Sequence, residues 1–284
     1  MAILDGKLTA LDINDSIKED ILEYIALGYR VPRLDIILVG DDFGSKKYVE
    51  MKSKKAQELG IKGVVHTFDG DISQRELSDL IVELNKDEEV DGIMVQLPLP
   101  NHIDEKYVLE NINPEKDVDG LTSTNLGKLF KNDSTAIAPA TAKGIMKLLE
   151  DYMIQIEGTN AVVIGRSDIV GLPTAAMLQN ENATVTVCHS HTKNLKEICK
   201  MADILVVGIG KPEYIDMEYV KEKSIVIDVG TNKNSDGKLV GDVNFNSVKD
   251  IVESITPVPG GVGPMTIACL LDNLMEIYIK NVQK

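Results

Sequence analysis

Ala161-Val162-Val163-Ile164-Gly165-Arg166-Ser167-Asp168-Ile169-Val170-Gly171 is the stretch that decides the fold, because an apolar run leads into a glycine turn. The residues after Gly171 predict a helix, whose first N–H groups and dipole form a site for an anion. Gly165 allows the sharp turn, and Gly171 allows the helix to pack close to the strand. Ser167 stands where G-x-G-x-x-G has its middle glycine, so the stretch alone is a weak fingerprint of a dinucleotide site. An ordinary strand-to-helix turn is the alternative.

The end of the next predicted strand indicates which nucleotide the site binds. That strand, Thr184–Cys188, is followed by His189-Ser190-His191-Thr192, and this segment contains no acid. A site for NAD uses an acid here to bind the ribose 2′-hydroxyl. Ser190 and Arg166 instead suit a 2′-phosphate, which an acid would repel. The sequence therefore predicts NADP as the cofactor.

The composition argues against several classes of protein. The chain has 284 residues, 43% of them hydrophobic, which suffices for two domains with buried cores. Its net charge of −15 argues against nucleic-acid binding. We expect no apolar run to cross a membrane, and the N-terminal MAILDGK lacks the apolar segment of a signal peptide. Three cysteines without metal or disulfide spacing favour the cytoplasm.

Two histidines are candidate metal ligands. His189 and His191 alternate on a segment that we expect to be extended, so their side chains point the same way. The sequence has no further cluster of ligands beside them, and a zinc site needs three or four. We therefore predict no metal site.

Alternating strand and helix patterns predict an α/β fold with two domains and parallel sheets. Predicted strands of the first domain are residues 33–40, 62–68 and 90–96. Its predicted helices are residues 45–59 and a second that Ser73 and Glu76 open as a capping box. Predicted strands of the second domain are residues 160–165, 184–188, 203–207, 224–229 and 252–256. A hairpin is predicted between Asn232 and Gly241.

The last apolar helix is predicted to begin near Thr266, as its N-cap. We expect it to pack back on the first domain and to leave a cleft between the domains. Ligand clefts in such folds lie at the carboxyl ends of strands.

The first domain carries candidate chemistry on its first predicted helix. Ser45, Tyr48 and Lys52 are spaced three and four residues apart, so they share one stripe with Ala56 and Leu59. The apolar members predict that Tyr48 and Lys52 face inward. Burial would lower the pKa of Lys52 and allow it to exchange protons near neutral pH. A solvated helix surface is the alternative.

Three further positions are candidates for binding. Gln96 ends a predicted strand, where its amide can hold a lysine. Asp119, in Lys116-Asp-Val-Asp-Gly120, can accept paired N–H bonds from an aminopyrimidine ring, or it is a turn acid beside glycine. The loop 257–265 is rich in glycine and proline, so its backbone can approach a ligand closely.

Five stretches together resemble the bifunctional methylenetetrahydrofolate dehydrogenase/cyclohydrolase family, nearly from end to end. They are Tyr48-Val-Glu-Met-Lys52, Gln96-Leu-Pro-Leu-Pro100, Lys116-Asp-Val-Asp-Gly120, Gly165-Arg-Ser-Asp-Ile-Val-Gly171 and Pro257-Val-Pro-Gly-Gly-Val-Gly-Pro-Met-Thr266. Each is modest alone, and five in this order are highly specific. The resemblance implies a folate-binding catalytic domain of residues 1–138 and 267–284, and a Rossmann-like NADP-binding domain of residues 139–266.

The resemblance also implies an activity. NADP oxidises 5,10-methylenetetrahydrofolate to the 5,10-methenyl form, which is then hydrolysed to 10-formyltetrahydrofolate. Lys52 is implied as the catalytic lysine, Gln96 as its partner, Tyr48 as the ring that stacks on the pterin and Asp119 as the pterin anchor. These steps belong to one-carbon metabolism and supply purine and amino-acid biosynthesis.

The remaining residue roles follow from the same resemblance. Gly165, Arg166, Ser167, Ser190 and Thr141 are expected to bind NADP. For the substrate, we expect additional contacts from two residues of the loop 257–265, namely Pro259 and Gly260. The resemblance implies a homodimer in the cytoplasm, with no nucleic-acid or membrane partner.

One departure from the family concerns Pro139-Ala140-Thr141-Ala142-Lys143-Gly144, where the family usually reads Pro-Cys-Thr-Pro-x-Gly. Losing the second proline removes a constraint on φ, so we expect a looser turn and leave the balance of the two activities open. A dehydrogenase without the hydrolytic step is the second interpretation. A silent folate- or nucleotide-binding protein is the third.

Overall fold

The structure is a computed structural model that describes residues 1–283. Its elements as far as residue 130 are β1 (Ala2–Ile3), α1 (Gly6–Ala26), β2 (Arg33–Val39), α2 (Phe43–Leu59), β3 (Lys62–Phe68), α3 (Gln74–Lys86), β4 (Gly92–Val95), α4 (Glu105–Glu110) and α5 (Ser123–Phe130). The elements that follow are α6 (Ala140–Asp151), β5 (Asn160–Ile164), α7 (Gly171–Asn180), β6 (Thr184–Cys188), α8 (Leu195–Cys199), β7 (Ile204–Val207), β8 (Ile225–Asp228), β9 (Asn232–Lys233), β10 (Leu239–Val240), α9 (Phe245–Val248), β11 (Ser254–Ile255) and α10 (Val262–Val282).

The chain divides into two compact units, each with its own parallel sheet. We call one the three-stranded unit; it comprises residues 13–128, 135–138 and those from Leu270 onward. We call the other the six-stranded unit; it comprises residues 1–12, 129–134 and 139–269. The predicted two-domain α/β fold is confirmed.

The three-stranded unit places β2 at the centre of a sheet of order β3-β2-β4. From Leu34 to Val39 every residue of β2 is buried, as expected for a central parallel strand covered on both faces. Ile37 and Val39 pack with Ile81 of α3 and Ile93 of β4 in one apolar cluster. The carboxyl ends of β2 and β4 therefore lie side by side above a rigid core.

The six-stranded unit has the order β1-β11-β8-β7-β5-β6, with β5 between β6 and β7. Pairing of Ile164 with Cys188 and with Val207 aligns the carboxyl ends of these three strands. The predicted strands are thus confirmed, with ends that differ by one or two residues. The predicted hairpin is formed by β9 and β10, and Gly237 in its turn has a φ of +73°.

The N-terminal residues differ from the predicted domain boundaries. Residues 1–12 were assigned to the folate-binding domain, but β1 pairs with β11 of the six-stranded unit, Ala2 opposite Ser254. A strand of two residues is too short to give a pattern in the sequence. Helix α1 was not predicted either, because exposed Leu8, Leu11 and Leu22 obscure its amphipathic spacing.

The prediction that Thr266 caps the last helix is wrong. Helix α10 begins at Val262, and the Thr266 hydroxyl donates to the carbonyl of Val262 at 3.4 Å, one turn inside the helix. Gly263 and Pro264 were interpreted as loop residues. Proline is tolerated in the first helical turn, however, because the N–H that it lacks has no partner there.

Helix α10 also corrects the expectation about membranes. Its 21 residues have the length and apolar composition of a membrane span. Of its most apolar window, 67% is buried within the protein, as in the core helix of a soluble protein. Within the three-stranded unit, its Asn273 amide donates to the carbonyls of Val118 at 2.8 Å and Ala138 at 2.9 Å.

Gly92 is expected to be essential for the packing of the three-stranded unit. A Cβ at Gly92 would lie 2.3 Å from Cγ1 of Val118 and 2.6 Å from Cδ1 of Leu274. We expect Gly92→Ala to lower the free energy of unfolding by about 1–3 kcal/mol, as overpacked cores do. Urea denaturation measures this. Gly127→Ala on α5 is the matched control, since nothing lies within 4 Å of its added methyl group. If both variants are equally stable, the close approach at Gly92 is not a constraint.

Candidate active site

Helix α2 places Lys52 on its buried face. Asp42 fixes the start of this helix by accepting a hydrogen bond from the N–H of Ser45 at 2.7 Å. The predicted stripe is confirmed for Lys52, which is only 8% exposed. Tyr48 departs from the prediction, because it is 40% exposed. Its ring therefore lies one turn before Lys52 and remains open to a ligand.

The amine of Lys52 is held at the carboxyl end of β4. Its Nζ donates to Sδ of Met94 at 3.2 Å and to Oε1 of Gln96 at 3.3 Å. The amide nitrogen of Gln96 donates to the carbonyl of Leu97 at 2.7 Å, so the amide oxygen is turned towards the lysine. Lys52 and Gln96 were predicted as partners, and the structure brings them into contact.

The segment 116–120 contains two acids with different surroundings. Asp117 is buried and accepts from the N–H groups of Leu121 and Thr122 and from the amide of Asn125. Asp117 therefore stabilises the turn. In contrast, Asp119 accepts no hydrogen bond within the part of the chain that the structure describes. It is the acid of this segment whose oxygens are available to a ligand.

Burial and mutual charge set the ionisation of Lys52 and Asp119. Burial lowers the pKa of Lys52, and the negative charge of Asp119 opposes that change. Burial likewise raises the pKa of Asp119, the charge of Lys52 opposes this, and the charge of Asp117 adds to it. Each charged form thus depends on its neighbour, as expected for two groups taken out of water together.

In the six-stranded unit, the glycine turn after β5 is as tight as predicted. Gly165 has a φ of +124°, and a Cβ there would lie 2.4 Å from the carbonyl oxygen of Gly208. A Cβ at Gly171 would lie 2.2 Å from the carbonyl oxygen of Gly165. Both positions therefore require glycine.

The donors of this turn are not the ones that we predicted. The first N–H groups of α7 are already used, because Ser167 accepts from Gly171 and Leu172, and Val170 accepts from Thr174. The backbone N–H groups of residues 166–169 precede the helix, and none donates to an acceptor within residues 1–283. An anion at this turn would therefore be bound by the loop, with the Ser167 hydroxyl fixed beside it.

Arg166 and Ser190 occupy neighbouring strand ends, as the sequence predicts. The N–H of Gly165 donates to the carbonyl of Cys188 at 2.9 Å, which ties the end of β5 to the end of β6. Both Arg166 and Ser190 are exposed. After β6, the hydroxyl of Thr192 accepts from the N–H of His189 at 2.8 Å and forms the turn that carries Ser190.

The other predicted residues of this unit lie on two neighbouring segments. The hydroxyl groups of Thr141 on α6 and Thr266 on α10 are 3.1 Å apart. Gly260, with a φ of +113°, accepts from the N–H of Lys7 at 3.2 Å, while Pro259 before it is exposed. The loop is thus anchored at Gly260 and open at Pro259.

Two sequence profiles match the chain. The one described as "Tetrahydrofolate dehydrogenase/cyclohydrolase, catalytic domain" covers residues 4–119. The one described as "Tetrahydrofolate dehydrogenase/cyclohydrolase, NAD(P)-binding domain" covers residues 139–282. The chain belongs to the tetrahydrofolate dehydrogenase/cyclohydrolase family. The predicted family is confirmed, and so is the presence of a domain for a nicotinamide dinucleotide.

Similar proteins align with this chain over nearly its full length. The bifunctional protein FolD of Campylobacter concisus is 51% identical over 273 residues, which are 96% of each chain. The crystal structure of the bifunctional enzyme FolD from Campylobacter jejuni has a TM-score of 0.97 at 45% identity, over 99% of both chains. The Trypanosoma brucei dehydrogenase-cyclohydrolase, described as complexed with NADP cofactor and inhibitor, has a TM-score of 0.95 at 37% identity and covers 100% of this chain and 99% of its own.

The segment that departs from the family pattern forms a regular first turn of α6 rather than the looser turn that we expected. Ala140 and Ala142 are both buried, and the N–H of Lys143 donates to the carbonyl of Pro139 at 2.9 Å. Gly144 packs against Met265, since a Cβ there would lie 2.9 Å from the Met265 Cβ. Packing therefore replaces the φ constraint that the family's proline would supply.

Sequence reasoning missed two groups at these sites. Met94 contacts the Lys52 amine, but a methionine within an apolar strand gives no sign of that role. Asp242 accepts a hydrogen bond from Ile209 in the loop after β7. A single acid after a glycine does not indicate that role in the sequence. Among residues 1–283, no group of three or more His, Cys, Asp or Glu is placed to hold a metal ion.

Asp119 is expected to control the ionisation of Lys52. We expect Asp119→Asn to lower the pKa of Lys52 further, because the negative charge that favours the ammonium form is removed. Titration of the lysine side-chain carbons by NMR measures this pKa directly. Exposed lysines such as Lys54 serve as internal controls and should titrate as in the parent protein. An unchanged or higher pKa for Lys52 would show that the two groups are not coupled.

Proposed function

We propose that the protein is a bifunctional enzyme of one-carbon metabolism. It oxidises 5,10-methylenetetrahydrofolate to 5,10-methenyltetrahydrofolate with NADP, and it hydrolyses the product to 10-formyltetrahydrofolate. The observation that carries the proposal is the buried amine of Lys52, held by Gln96 beside the carboxylate of Asp119. A protein that only bound folate would have no use for a buried lysine with a lowered pKa.

Lys52 serves the hydrolytic step. Attack of water on the methenyl carbon requires a proton to leave the water and another to reach the departing nitrogen. An amine with a pKa lowered by burial exchanges protons closer to neutral pH than an exposed lysine does. The Gln96 oxygen accepts from the Lys52 amine and fixes its position during these transfers. Gln96 is therefore a positioning residue for Lys52.

Asp119 and Tyr48 bind the pterin. The Asp119 carboxylate, which accepts no hydrogen bond from residues 1–283, accepts from the paired N–H groups of the aminopyrimidine ring. The partly exposed ring of Tyr48 stacks on the flat heterocycle. Pro259 and Gly260 supply further contacts to the substrate from the loop before α10.

The six-stranded unit fits NADP. Residues 166–169 offer unused backbone N–H groups, and Arg166 and Ser190 are exposed at adjoining strand ends. The side chains of Ser167 and Thr141 complete the proposed cofactor contacts. When bound, NADP supplies the acceptor for the hydride that leaves the substrate. The substrate carbon that loses the hydride lies between two nitrogens, and their lone pairs stabilise the resulting cation. Hydride transfer therefore needs positioning more than an acid or base.

Resemblance to the family supports a proposal for the oligomeric state and the cellular location. We propose a homodimer in the cytoplasm, where 10-formyltetrahydrofolate serves purine and amino-acid biosynthesis. Strand β3 is an edge of the three-stranded sheet, and Val65 on it is 38% exposed, which leaves an edge to which a second copy can add. The three cysteines are buried and form no disulfide within residues 1–283, in keeping with a reducing compartment.

Arg166 is expected to determine the preference for NADP over NAD. We expect Arg166→Ala to raise the KM for NADP by about tenfold or more, since a charge-assisted bond to phosphate is lost, and to change the KM for NAD little. Steady-state dehydrogenase kinetics with both cofactors measure this. Arg75→Ala on the exposed surface of α3 is the control. Equal or better catalytic efficiency with NAD in the unmodified protein would contradict the proposed cofactor.

The two activities are expected to separate at Lys52. The unmodified protein should form NADPH and also consume methenyltetrahydrofolate supplied directly, both followed by absorbance. Lys52→Met retains the bulk of the stem without the amine, so it should abolish enzymatic hydrolysis and leave measurable dehydrogenase activity. Lys54→Met, an exposed neighbour on the same helix, is the matched control.

Each alternative predicts a different result. NADPH formation without hydrolysis in the unmodified protein would identify a dehydrogenase that lacks the second step. Absence of both activities would identify a silent binding protein. Near-normal hydrolysis by Lys52→Met, after correction for the uncatalysed rate, would show that another group moves the protons.

A further inference from the structure

Two buried carboxylates adjoin the cofactor half of the molecule and have no part in the proposed chemistry. Asp228 ends β8 and is 4% exposed, while Asp242 follows β10 and is 0% exposed. The N–H of Asp242 donates to Oδ1 of Asp228 at 2.9 Å, so the two acids are linked through the backbone. Burying two neighbouring acids is unfavourable unless hydrogen bonds offset the loss of water, and here those bonds converge on two loops.

Asp242 has both carboxylate oxygens saturated by donors from the protein. Its Oδ2 accepts from the N–H groups of Ile209 at 2.6 Å and Gly210 at 3.0 Å. Its Oδ1 accepts from the N–H of Lys211 at 2.7 Å and from the amide of Asn232 at 2.8 Å. Four donors on one buried carboxylate fix the loop after β7 relative to Asn232, where the loop after β8 ends and β9 begins.

The loop that Asp242 fixes forms one wall of the glycine turn. Gly208 begins this loop, and its carbonyl oxygen leaves no space for a Cβ at Gly165. The N–H of Gly208 donates to the carbonyl of Ile164 at 2.9 Å, which joins the same loop to the end of β5. A displacement of residues 209–211 would therefore alter the glycine turn at which the proposed cofactor binds.

Asp228 supports Asp242 from behind. It accepts from the N–H groups of Gly230 and Val243, each at 2.9 Å, in addition to that of Asp242. Burial raises the pKa of Asp228 to about 6, and the charge of Asp242 contributes to that rise. The approach is close, because a Cβ at Gly241 would lie 1.8 Å from Oδ2 of Asp228. The pair thus forms one rigid unit below the two loops.

The strand order indicates which half of the cofactor these loops face. In the strand order β8-β7-β5-β6, Arg166 follows β5 and Ser190 follows β6. The adenosine 2′-phosphate is proposed to bind at these two strand ends. A dinucleotide lies across the carboxyl ends of such a sheet, with its pyrophosphate at the central turn. Its other half must then extend over β7 and β8, above the loops that Asp242 fixes.

We propose that Asp242 is a positioning residue for the nicotinamide half of NADP. It touches neither the cofactor nor the substrate, and it acts through residues 209–211 and Asn232. The proposal rests on the proposed function, since it requires NADP to bind at the glycine turn. It separates the two halves of the site: the adenosine half depends on Arg166 and Ser190, and the nicotinamide half depends on a buried carboxylate.

Asp242→Asn tests this with two ligands. Asparagine retains the shape but replaces one acceptor oxygen by an N–H₂ group, so two of the four donors lose their partner. We expect the Kd for NADP, measured by calorimetry, to rise by about tenfold or more, as the loss of bonds to a charged group implies. The Kd for adenosine 2′,5′-bisphosphate, which lacks the nicotinamide half, should stay within about twofold of the parent value, well below the tenfold step worth 1.4 kcal/mol.

Asp203→Asn is the matched control. Asp203 also accepts a backbone N–H, that of Asn160 at 2.8 Å, but it precedes β7 and so lies at the opposite end of the same sheet. It should leave the ratio of the two dissociation constants unchanged. If Asp242→Asn does not fold, Asn232→Ala removes one donor from the same carboxylate and should raise the Kd for NADP alone, by a smaller factor.

The outcomes that overturn the proposal are distinct from failure of the proposed function. Equal weakening of both ligands by Asp242→Asn would show general destabilisation, and no change in either would show that Asp242 has no positioning role. If the unmodified protein bound neither NADP nor the bisphosphate, the cofactor assignment itself would fail.

Discussion

The Lys52 amine lies out of water with few groups to stabilise its charge, and the arrangement of the three-stranded unit follows from that constraint. A thioether and one amide oxygen are weak partners for an ammonium group, so the negative charge of Asp119 contributes to stabilising it. A direct ion pair would hold the lysine protonated. A wholly apolar pocket would hold it neutral. The intermediate arrangement is the one that the proposed proton transfers require.

Other contacts in the three-stranded unit keep competing groups away from the Lys52 amine. The acid of the segment 116–120 that could compete for the lysine is Asp117, and it is fully engaged by its own turn. The amide of Gln96 is locked by the carbonyl of Leu97, so it cannot rotate its nitrogen towards the amine. These contacts add nothing to the chemistry themselves. They exclude the alternative partners that would change the ionisation of Lys52.

Features that depend on residues close together in the chain could be predicted from the sequence, and features that depend on tertiary packing could not. The strands of both sheets were found because a buried parallel strand is continuously apolar, as in Ala161-Val-Val-Ile164. Strand β1 and helix α1 were missed, because two residues carry no period and exposed leucines blur one. The start of α10 was misplaced because Gly263 and Pro264 occur both in loops and in first helical turns. The local sequence is compatible with either a loop or a first helical turn at these positions, and tertiary packing selects the helical turn.

The same distinction applies to the sites. Lys52, Gln96 and Asp119 are predicted site residues because each belongs to a short motif, and Ser190 is predicted because an expected acid is absent. Asp242 gives no such signal, since the role that we propose for it comes from four donors brought to it by two other segments, residues 209–211 and Asn232. A residue that binds a ligand is constrained by that ligand's chemistry and so has a recognisable type and spacing. A residue that positions a loop is constrained only by the backbone around it, and a buried carboxylate fulfils this role wherever N–H groups converge. The less a residue touches the ligand, the more its identification depends on the folded structure.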